Sequence, residues 1–417
     1  MDSFRIVGPC RLEGSVEVSG AKNAMLPLMA ATILTGGKCT LENVPELRDT
    51  TTMMRLLAVL GVPSTLEKGT LAADASEIKS FEAPYDLVRT MRASIYALGP
   101  LLAKFGKARV SMPGGCAWGP RPVDLHLQGL KALGADIRID HGYIDASASR
   151  LRGAEIILSL PSVGATVNLM LAAVLAEGRT IIENAAREPE ISALAAALNG
   201  AGAAISGEGT SRMEIEGVSA IRPFRVRVIP DRIEAGTFAA AAAITGGRVE
   251  INGCEPDHMH AVVERLEACG ARVETGPGKM TVQGPGRIEP VNIETGFYPA
   301  FPTDMQAQMM AVLCRARGAS SIMERVYSER FTHVPELKRL GAKIVLEGGV
   351  AVVTGVDSLQ GAPVMATDIR ASSALILAAL AAEGETRILR IYHIDRGYER
   401  IEEKLRKLGA SIERIAG

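Results

Sequence analysis

Large rings are scarce in this chain. Phe, Trp and Tyr make up 4% of its 417 residues, and Trp118 is the one tryptophan. A core with few rings has to be built from Ala, Leu, Ile, Val and Met, whose small side chains suit helices lying close to one another or to a sheet. An excess of one charge sign is missing too, with 46 basic residues against 47 acidic ones. No global field draws a polyanion, so a nucleic-acid partner is not expected. The six cysteines stand at 10, 39, 116, 254, 269 and 314, with no CxxC spacing between any of them. That argues against a zinc site or a dithiol redox pair and suits free thiols in a reducing compartment. The opening MDSFRIVGPC lacks the basic-then-apolar profile of a signal peptide. The longest uncharged run, from Ile156 to Ala176, contains Pro161, Gly164 and Asn168 and does not read as a membrane span. Neither GxxxxGK[ST] nor a GxGxxG following a strand occurs. The expectation is a soluble, cytoplasmic protein without a membrane partner.

What the chain has is repetition. Its hydrophobic share of 47% and charged share of 22% are those of a globular protein, and its length suggests two or three domains. Gly61, Gly134, Gly202, Gly270, Gly341 and Gly409 each follow an amphipathic stretch and precede a strand pattern, at intervals of 73, 68, 68, 71 and 68 residues. LQGLKAL, VPELKRL and IEEKLRKL are examples of the stretches, and ADIRID and AKIVLE of the strands. The local reading is helix, glycine C-cap, strand. A second series runs in register with the first. Gly36, Gly106, Gly178, Gly246, Gly318 and Gly384 each close an apolar helix such as NAMLPLMAATILTG, and a strand pattern follows. These helices are apolar on most faces and should be buried, whereas the more charged second helix of each repeat should face solvent.

Each repeat therefore reads as helix–strand–helix–strand over about 70 residues, a length too short to bury both helices alone. Grouping the six repeats in threes gives two α/β domains of ordinary size, with the boundary placed at Val226–Pro230. The expected ranges are 22–229, which carries a cysteine loop at 112–122, and 1–21 plus 230–417. The leading segment, residues 1–21, lacks a partner in its own repeat. It is expected to pair with the last one and to hold the two halves together.

The register also exposes chemistry. Fourteen residues before each glycine of the second series stand Lys22, Arg92, Gly164, Arg232, Asp304 and Arg370, each at the start of a buried helix. Charge at such a place is disfavoured unless it is paired or binds something. A helix N-terminus already attracts anions, and Lys or Arg at four of these ends makes candidate anion sites. Asp304 reads as a base, as a group that orients a hydroxyl, or as a helix cap. Beside Arg232, the carboxylates Asp231 and Glu234 are placed to neutralise it locally.

The segment MPGGCAWGPRPVDLH, Met112–His126, joins paired glycines to Cys116, Trp118 and Arg121. Such a loop brings backbone close to a ligand. Cys116 can donate a proton, or lose it and attack as a nucleophile if cations lie near, or have no role. The other cysteines read as core residues. His126 reads as a structural hydrogen-bonder or as a catalyst. TDIRAS (367–372) and YHIDRGYER (392–400) place Arg370 and Arg396 near helix starts. SVGAT (162–166) and ENAAREPEI (183–191) read as a helix-start loop and a polar turn, with Glu188 and Glu190 placed to cap or to position cations.

SGAKNA, TMRAS, PGGC…RPVDLH, SVGAT, ENAAREPE, PDRIE, FPTDMQAQ, MATDIRAS and YHIDRGYERI occur in that order over nearly the whole chain. Together they resemble the UDP-N-acetylglucosamine 1-carboxyvinyltransferases, the enolpyruvyl transferase family that commits UDP-sugar to peptidoglycan synthesis. The resemblance implies an inside-out α/β barrel architecture, with two domains, each of three pseudo-repeated βαβαββ units around buried helices, and an active site in the cleft between the domains. It implies transfer of the enolpyruvyl group of phosphoenolpyruvate to the 3′-hydroxyl of UDP-N-acetylglucosamine, with loss of phosphate. Fixed cations would serve both anionic substrates, and no metal or organic cofactor is implied.

By the same resemblance, Lys22 and Arg121 hold the phosphate of phosphoenolpyruvate. Arg396 and Arg370 lie near its phosphate and carboxylate, and Arg330 is a further active-site arginine. Asn23 and Asp304 address the sugar, with Asp304 as base, and Asn23 also contacts phosphoenolpyruvate. Cys116 is the proton donor, the site of a phosphoenolpyruvate adduct and the target of the epoxide fosfomycin. The UDP-sugar pocket takes in Arg92, Arg121, Pro122, Val123, Asp124, Leu125, Ser162, Val163, Gly164 and Val326, and the cysteine loop acts as a lid. The chain departs from the pattern at Leu160, where some members carry lysine, and at Trp118 and Pro120, where many carry smaller or more flexible residues. The shikimate-pathway enolpyruvyl transferases share fold and chemistry but lack the PGGC…RPVDLH loop. RNA-terminal-phosphate cyclases share related repeats, but the charge balance argues against tight RNA binding. A non-catalytic repeat scaffold is argued against by the intact set of Lys22, Cys116, Asp304 and Arg396. The sequence leaves the oligomeric state open. Cys116→Asp is expected to keep part of the turnover and to resist alkylation by fosfomycin, since a carboxyl still donates a proton but is a poor target for the epoxide; mass spectrometry of the variant after fosfomycin treatment checks this, and rapid adduct formation would contradict it.

Overall fold

The computed structural model describes residues 2–112 and 123–417. They form two compact units, one running from Gly20 to Ile229 and the other combining the residues up to Ser19 with Pro230–Gly417. Cys116, Trp118, Pro120, Arg121 and Pro122 lie outside the described residues.

Three repeats of one plan build each unit. The third repeat shows it plainly. Strand Glu155–Ile157 leads through the helix Val163–Ala173 to a parallel strand, Arg179–Glu183. Helix Pro189–Gly200 then leads into the strands Ala204–Ser206 and Arg212–Glu216, and the latter pairs antiparallel with both Arg179–Glu183 and Ala204–Ser206. Six such sheets occur among the described residues, three per unit. Their strands alternate buried and exposed positions, as in Arg248–Asn252, so each sheet turns one face inward.

Inside the sheets lie the apolar helices. In Arg232–Thr245 every residue from Ile233 to Ile244 is buried, and in Ile369–Ala381 every residue from Arg370 onward. All of Gln306–Leu313 is buried, and these three helices pack on one another. In the other unit Lys22–Ala31 and Val163–Ala173 are buried beyond their first two residues. Alanine runs such as Ala239–Ala243 allow that close approach, so the scarcity of rings has a structural counterpart. The outer helix Arg48–Leu60 buries Met53, Leu56, Leu57 and Leu60 and turns its opposite face to solvent. The apolar run Ile156–Ala176 divides into a strand and a buried helix, and no helix among the described residues is long and apolar enough to cross a membrane.

All six glycines of the first series end an outer helix in the same way. Their φ angles fall between +91° and +104°. The glycine N–H donates to the carbonyl three residues back and the next N–H to the carbonyl five back, as at Gly341 and Ala342 onto Lys338 and Leu337. The second series is less uniform. Gly106 and Gly246 are left-handed caps of buried helices. Gly384, however, lies inside the strand Ala382–Leu389, because its helix stops at Ala381 where the chain turns directly into the sheet.

The N-terminal segment also departs from expectation. Ser3–Gly8 inserts between Ala382–Leu389 and Ser411–Ile415, antiparallel to both, so pairing with the last repeat is found. A second strand, Glu13–Glu17, lies parallel to Arg248–Asn252 and supplies the missing first strand of the fourth repeat. Both pairings fall within one unit. The segment therefore closes that unit on itself, and it serves two sheets because each repeat lacks one strand at that edge. Arg225–Arg227 closes the other unit in the same manner, parallel to Lys38–Glu42.

The glycine geometry gives a graded prediction. At Gly341 an added Cβ meets nothing within 4 Å, so Gly341→Ala should cost only the backbone strain of positive φ, about 1–2 kcal/mol. At Gly61 the Cβ would stand 2.6 Å from the carbonyl of Glu77, so Gly61→Ala should cost clearly more. Urea unfolding of the two variants checks the order.

Candidate functional site

In the unit that carries the C-terminus, the candidate residues converge on Asp304. It lies in the helical turn Thr303–Met305 that opens the buried helix Gln306–Leu313. Its Oδ1 accepts from Arg330 Nη2 at 2.8 Å and its Oδ2 from Arg370 Nη2 at 2.7 Å. Both guanidinium side chains are almost fully buried, at 6% and 7% exposure, while Asp304 keeps 25%. Two charges of one sign buried side by side would repel, and the shared carboxylate is what allows both to stay. Burial works against the charge on Arg370, yet Asp304, with Tyr398 and Asp231, offsets it and the guanidinium is held well above its ordinary value.

Supporting groups fix each arm. Arg330 Nη1 donates to Thr303 Oγ1 at 3.0 Å, and Thr303 Oγ1 donates to Glu324 Oε2 at 2.9 Å. Buried Glu324 also accepts from Thr295 Oγ1 and from the backbone N–H groups of Val326 and Tyr327 at 2.7–3.0 Å. That bond ties Val326, an expected UDP-sugar contact, into the same network. Asp368 caps the helix that carries Arg370, accepting from the N–H groups of Arg370 and Ala371 at 2.8 and 3.0 Å. Burial would push the Asp368 carboxyl up, but the Ala371 N–H, Arg330 and the Thr332 hydroxyl outweigh it and hold it below the usual range. His333 is fully buried nearby, and burial pushes it down. Arg396 ends the helical turn Ile391–Arg396, half-buried.

Arg232 also starts a buried helix, but its neighbours are engaged elsewhere. Asp231 caps that helix through the N–H groups of Ile233 and Glu234 at 2.8 and 3.1 Å. Glu234 pairs with Lys404 at 2.7 Å and accepts from the Ser19 N–H at 2.6 Å. The expected local neutralisation by Glu234 is thus redirected to Lys404, which the fold brings in from 170 residues away.

In the other unit, Lys22 begins the helix Lys22–Ala31 and lies 3.8 Å from Asp49 of the outer helix, both largely buried. Asn23 follows, half-buried on the same turn. Arg92 opens the turn Arg92–Ala97. Ser162 caps Val163–Ala173, its Oγ accepting from the Ala165 N–H at 3.3 Å. Val123, Asp124 and Leu125 open the helix Asp124–Ala132, with Asp124 exposed, and Leu160 is 40% exposed just ahead of Ser162.

His126 and Asn168 join these elements. Asn168 Nδ2 donates to the Ile95 carbonyl at 2.9 Å and lies 3.0 Å from His126 Nδ1. Asn168 Oδ1 accepts from the Gly99 N–H at 2.7 Å. The amide donor leaves Nδ1 as acceptor, so His126 carries its proton on Nε2. A Cβ on Gly164 would stand 3.1 Å from that Nε2, so the small residue makes room for the imidazole. This explains why position 164 is the uncharged member of its series. Burial above all, with Arg92 next, pushes His126 down to about 4.

Comparison with known proteins then decides the family. The model for EPSP synthase (3-phosphoshikimate 1-carboxyvinyltransferase) matches residues 6–405. A UDP-N-acetylglucosamine 1-carboxyvinyltransferase of Trichlorobacter lovleyi is 54% identical over 417 residues, covering all of both chains. Another, of Enterobacter cloacae, is 53% identical over 419 residues with the same coverage. Among solved structures, the enolpyruvyl transferase NikO from Streptomyces tendae superposes with a TM-score of 0.91 at 27% identity, over 100% of this chain and 99% of its own. EPSP synthase from Acinetobacter baumannii, at 18% identity and a TM-score of 0.77 over the whole of both chains, shows the shared fold. The chain belongs to the enolpyruvyl transferase family.

Within this enolpyruvyl transferase, the sequence pattern located the first-turn charges but missed the groups that hold them. Glu324, Asn168 and Tyr398 act through partners distant in sequence, and Asp368 is a local cap of the helix that carries Arg370. For Glu324 and Asn168, burial of a polar residue was the one available signal, and a single sequence does not print burial. Of the five described cysteines, those at 39, 254, 269 and 314 are buried, as core residues should be, while Cys10 is half-buried. Burial pushes the thiols of Cys269 and Cys314 up to about 12, which makes them poor nucleophiles. Among the described residues no group of His, Cys, Asp and Glu could hold a metal ion.

The depressed His126 gives a pH prediction. Between about 4 and the ordinary histidine value of 6.5 the unfolded chain binds a proton that the folded chain refuses. The stability due to neutral His126 is full above that window and falls as pH drops through it, by at most about 3 kcal/mol. His333 shares the direction, so His126→Asn, whose Oδ1 stands in for Nδ1, should flatten part of the slope in urea unfolding between pH 6.5 and 4.5. An unchanged slope would contradict the assignment.

Proposed function

We propose that this chain transfers the enolpyruvyl group of phosphoenolpyruvate to the 3′-hydroxyl of UDP-N-acetylglucosamine, releasing inorganic phosphate. Full-length identity of 51–55% to relatives bearing the name of that activity carries the reading. The geometry at Asp304 supports it. In the first step Asp304 takes the hydroxyl proton, the sugar oxygen attacks C2 of phosphoenolpyruvate, and Cys116 protonates C3. In the second step phosphate leaves C2 as a C3 proton is lost, which restores the double bond. The two arginines fix the orientation of the Asp304 carboxylate while it stays a quarter exposed, which suits a positioned general base.

The cations have distinct tasks in this reading. Lys22 and Arg121 take the phosphate that becomes the leaving group, and Arg370, Arg396 and Arg330 take the remaining charge of phosphoenolpyruvate. Asn23, Arg92, Arg121, Pro122, Val123, Asp124, Leu125, Ser162, Val163, Gly164 and Val326 receive the UDP-sugar. The product would feed peptidoglycan synthesis in the cytoplasm, and Cys116 would be the point of attack for fosfomycin.

The family model is named for 3-phosphoshikimate, so the test must separate two acceptors. Phosphate release from phosphoenolpyruvate is expected with UDP-N-acetylglucosamine and absent with shikimate 3-phosphate. Release only with the latter would reverse the assignment, and release with neither would remove it. Asp304→Asn should lower kcat by at least about a hundredfold, the scale of a lost general base, while the variant still unfolds cooperatively. Near wild-type turnover would take Asp304 out of the base role. Asp304→Ala is less clean, because it leaves Arg330 and Arg370 buried without their shared anion.

A further inference from the structure

Tyr398 lies two residues beyond Arg396 and has no part in the proton transfers and anion contacts proposed for the reaction. Its ring is 2% exposed, inside the unit that carries Asp304. A buried tyrosine needs a partner for its hydroxyl, and here the hydroxyl has three. Arg370 Nη1 donates to it at 3.3 Å. Thr237 Oγ1, on the buried helix Arg232–Thr245, lies 2.8 Å away. Gln308 Nε2, on the buried helix Gln306–Leu313, donates to it at 3.3 Å and to the Asp304 carbonyl at 2.9 Å. The Arg370 guanidinium carbon also lies 5.9 Å from the ring centroid. One oxygen thus collects contacts from all three buried helices of the unit.

We infer that Tyr398 is a positioning residue for the reaction: its hydroxyl fixes the Arg370 guanidinium, and through it the Asp304 carboxylate, to the segment that carries Arg396. The geometry allows little else. Arg370 spends Nη2 on Asp304 and Nη1 on Tyr398, so its plane is defined by two anchors on different elements. Without the second anchor the guanidinium is free to rotate about its bond to Asp304, and a displacement of the order of 1 Å is costly for a pre-set anion site. Thr237 has a second partner, the Ile233 carbonyl at 2.8 Å, so losing the tyrosine hydroxyl leaves the threonine hydroxyl bonded to its own helix.

This inference rests on the proposed role of Arg370 toward phosphoenolpyruvate. Its test is Tyr398→Phe, which keeps the ring, compared with Ser373→Ala. Ser373 Oγ donates to the Arg370 carbonyl at 2.8 Å, so the control also loses a buried hydrogen bond on the same helix but does not touch the guanidinium. Steady-state kinetics should show the KM for phosphoenolpyruvate raised about five- to twentyfold in Tyr398→Phe and kcat lowered by a similar factor, so that kcat/KM for phosphoenolpyruvate falls about 25- to 400-fold. The KM for UDP-N-acetylglucosamine should stay within about twofold, and Ser373→Ala should keep wild-type constants for both substrates. Calorimetric titration of phosphoenolpyruvate into each protein reads the same effect without turnover. Unchanged phosphoenolpyruvate affinity and kcat in Tyr398→Phe, or an equal loss in Ser373→Ala, would overturn the inference while leaving the proposed activity standing. A wild-type protein that binds phosphoenolpyruvate, with weaker binding in Tyr398→Phe, but releases no phosphate would overturn the activity and leave the positioning role.

Discussion

A helix buried on every face can carry charge only at its ends, and that constraint organises this molecule. The helices Arg232–Thr245, Gln306–Leu313 and Ile369–Ala381 have no solvent-facing side along which a lysine or an aspartate could be tolerated. Their charged residues gather at the first turn, where the backbone still has unpaired N–H groups. Cations are poorly placed there on electrostatic grounds, since the N-terminal end of a helix is itself positive. The structure answers with carboxylates. Asp231 and Asp368 cap the helices that carry Arg232 and Arg370, and Asp304 takes a guanidinium on each oxygen. At Asp304 the buried charges of Arg330 and Arg370 are thus already balanced, a sound basis for recognising anions without collapse of the site.

The same burial dictates how the units are built. Three helices stacked at a centre must be covered by something, and each repeat supplies a sheet with one buried face. The covering repeats itself down to single hydrogen bonds, as the six glycine closures show. It also needs a strand that the local chain does not provide. Arg225–Arg227 completes one unit, and Ser3–Gly8 with Glu13–Glu17 completes the other. Segments far apart in sequence are therefore structural parts of the same sheets.

Much of this was legible beforehand, for a physical reason. Glycines with positive φ and apolar helical runs are properties of local backbone and side-chain size, so their spacing exposed the six repeats and the first-turn charges. Lys22, Arg92 and Arg232 open their helical segments, and Gly164, Asp304 and Arg370 stand second in theirs. The illegible part concerns partners. That Glu234 answers Lys404 rather than Arg232, that Gly164 is small because His126 lies against it, and that Gly384 belongs to a strand depend on chain segments brought together only by folding.

The scarcity of rings and the even charge balance thus read differently at the two levels. The sequence by itself determined the repeat, the burial of the helices and the identity of the charges at their starts, because periodicity and residue size act over a few neighbouring positions. Only the tertiary structure decided which charge answers which, since an ion pair between Asp304 and two arginines 26 and 66 residues away is set by packing and not by spacing. It also decided that Tyr398, unremarkable in its motif, would place one oxygen where three buried helices meet. A buried polar group must find its partner in whatever the fold brings beside it, and that is information the chain holds collectively and not locally.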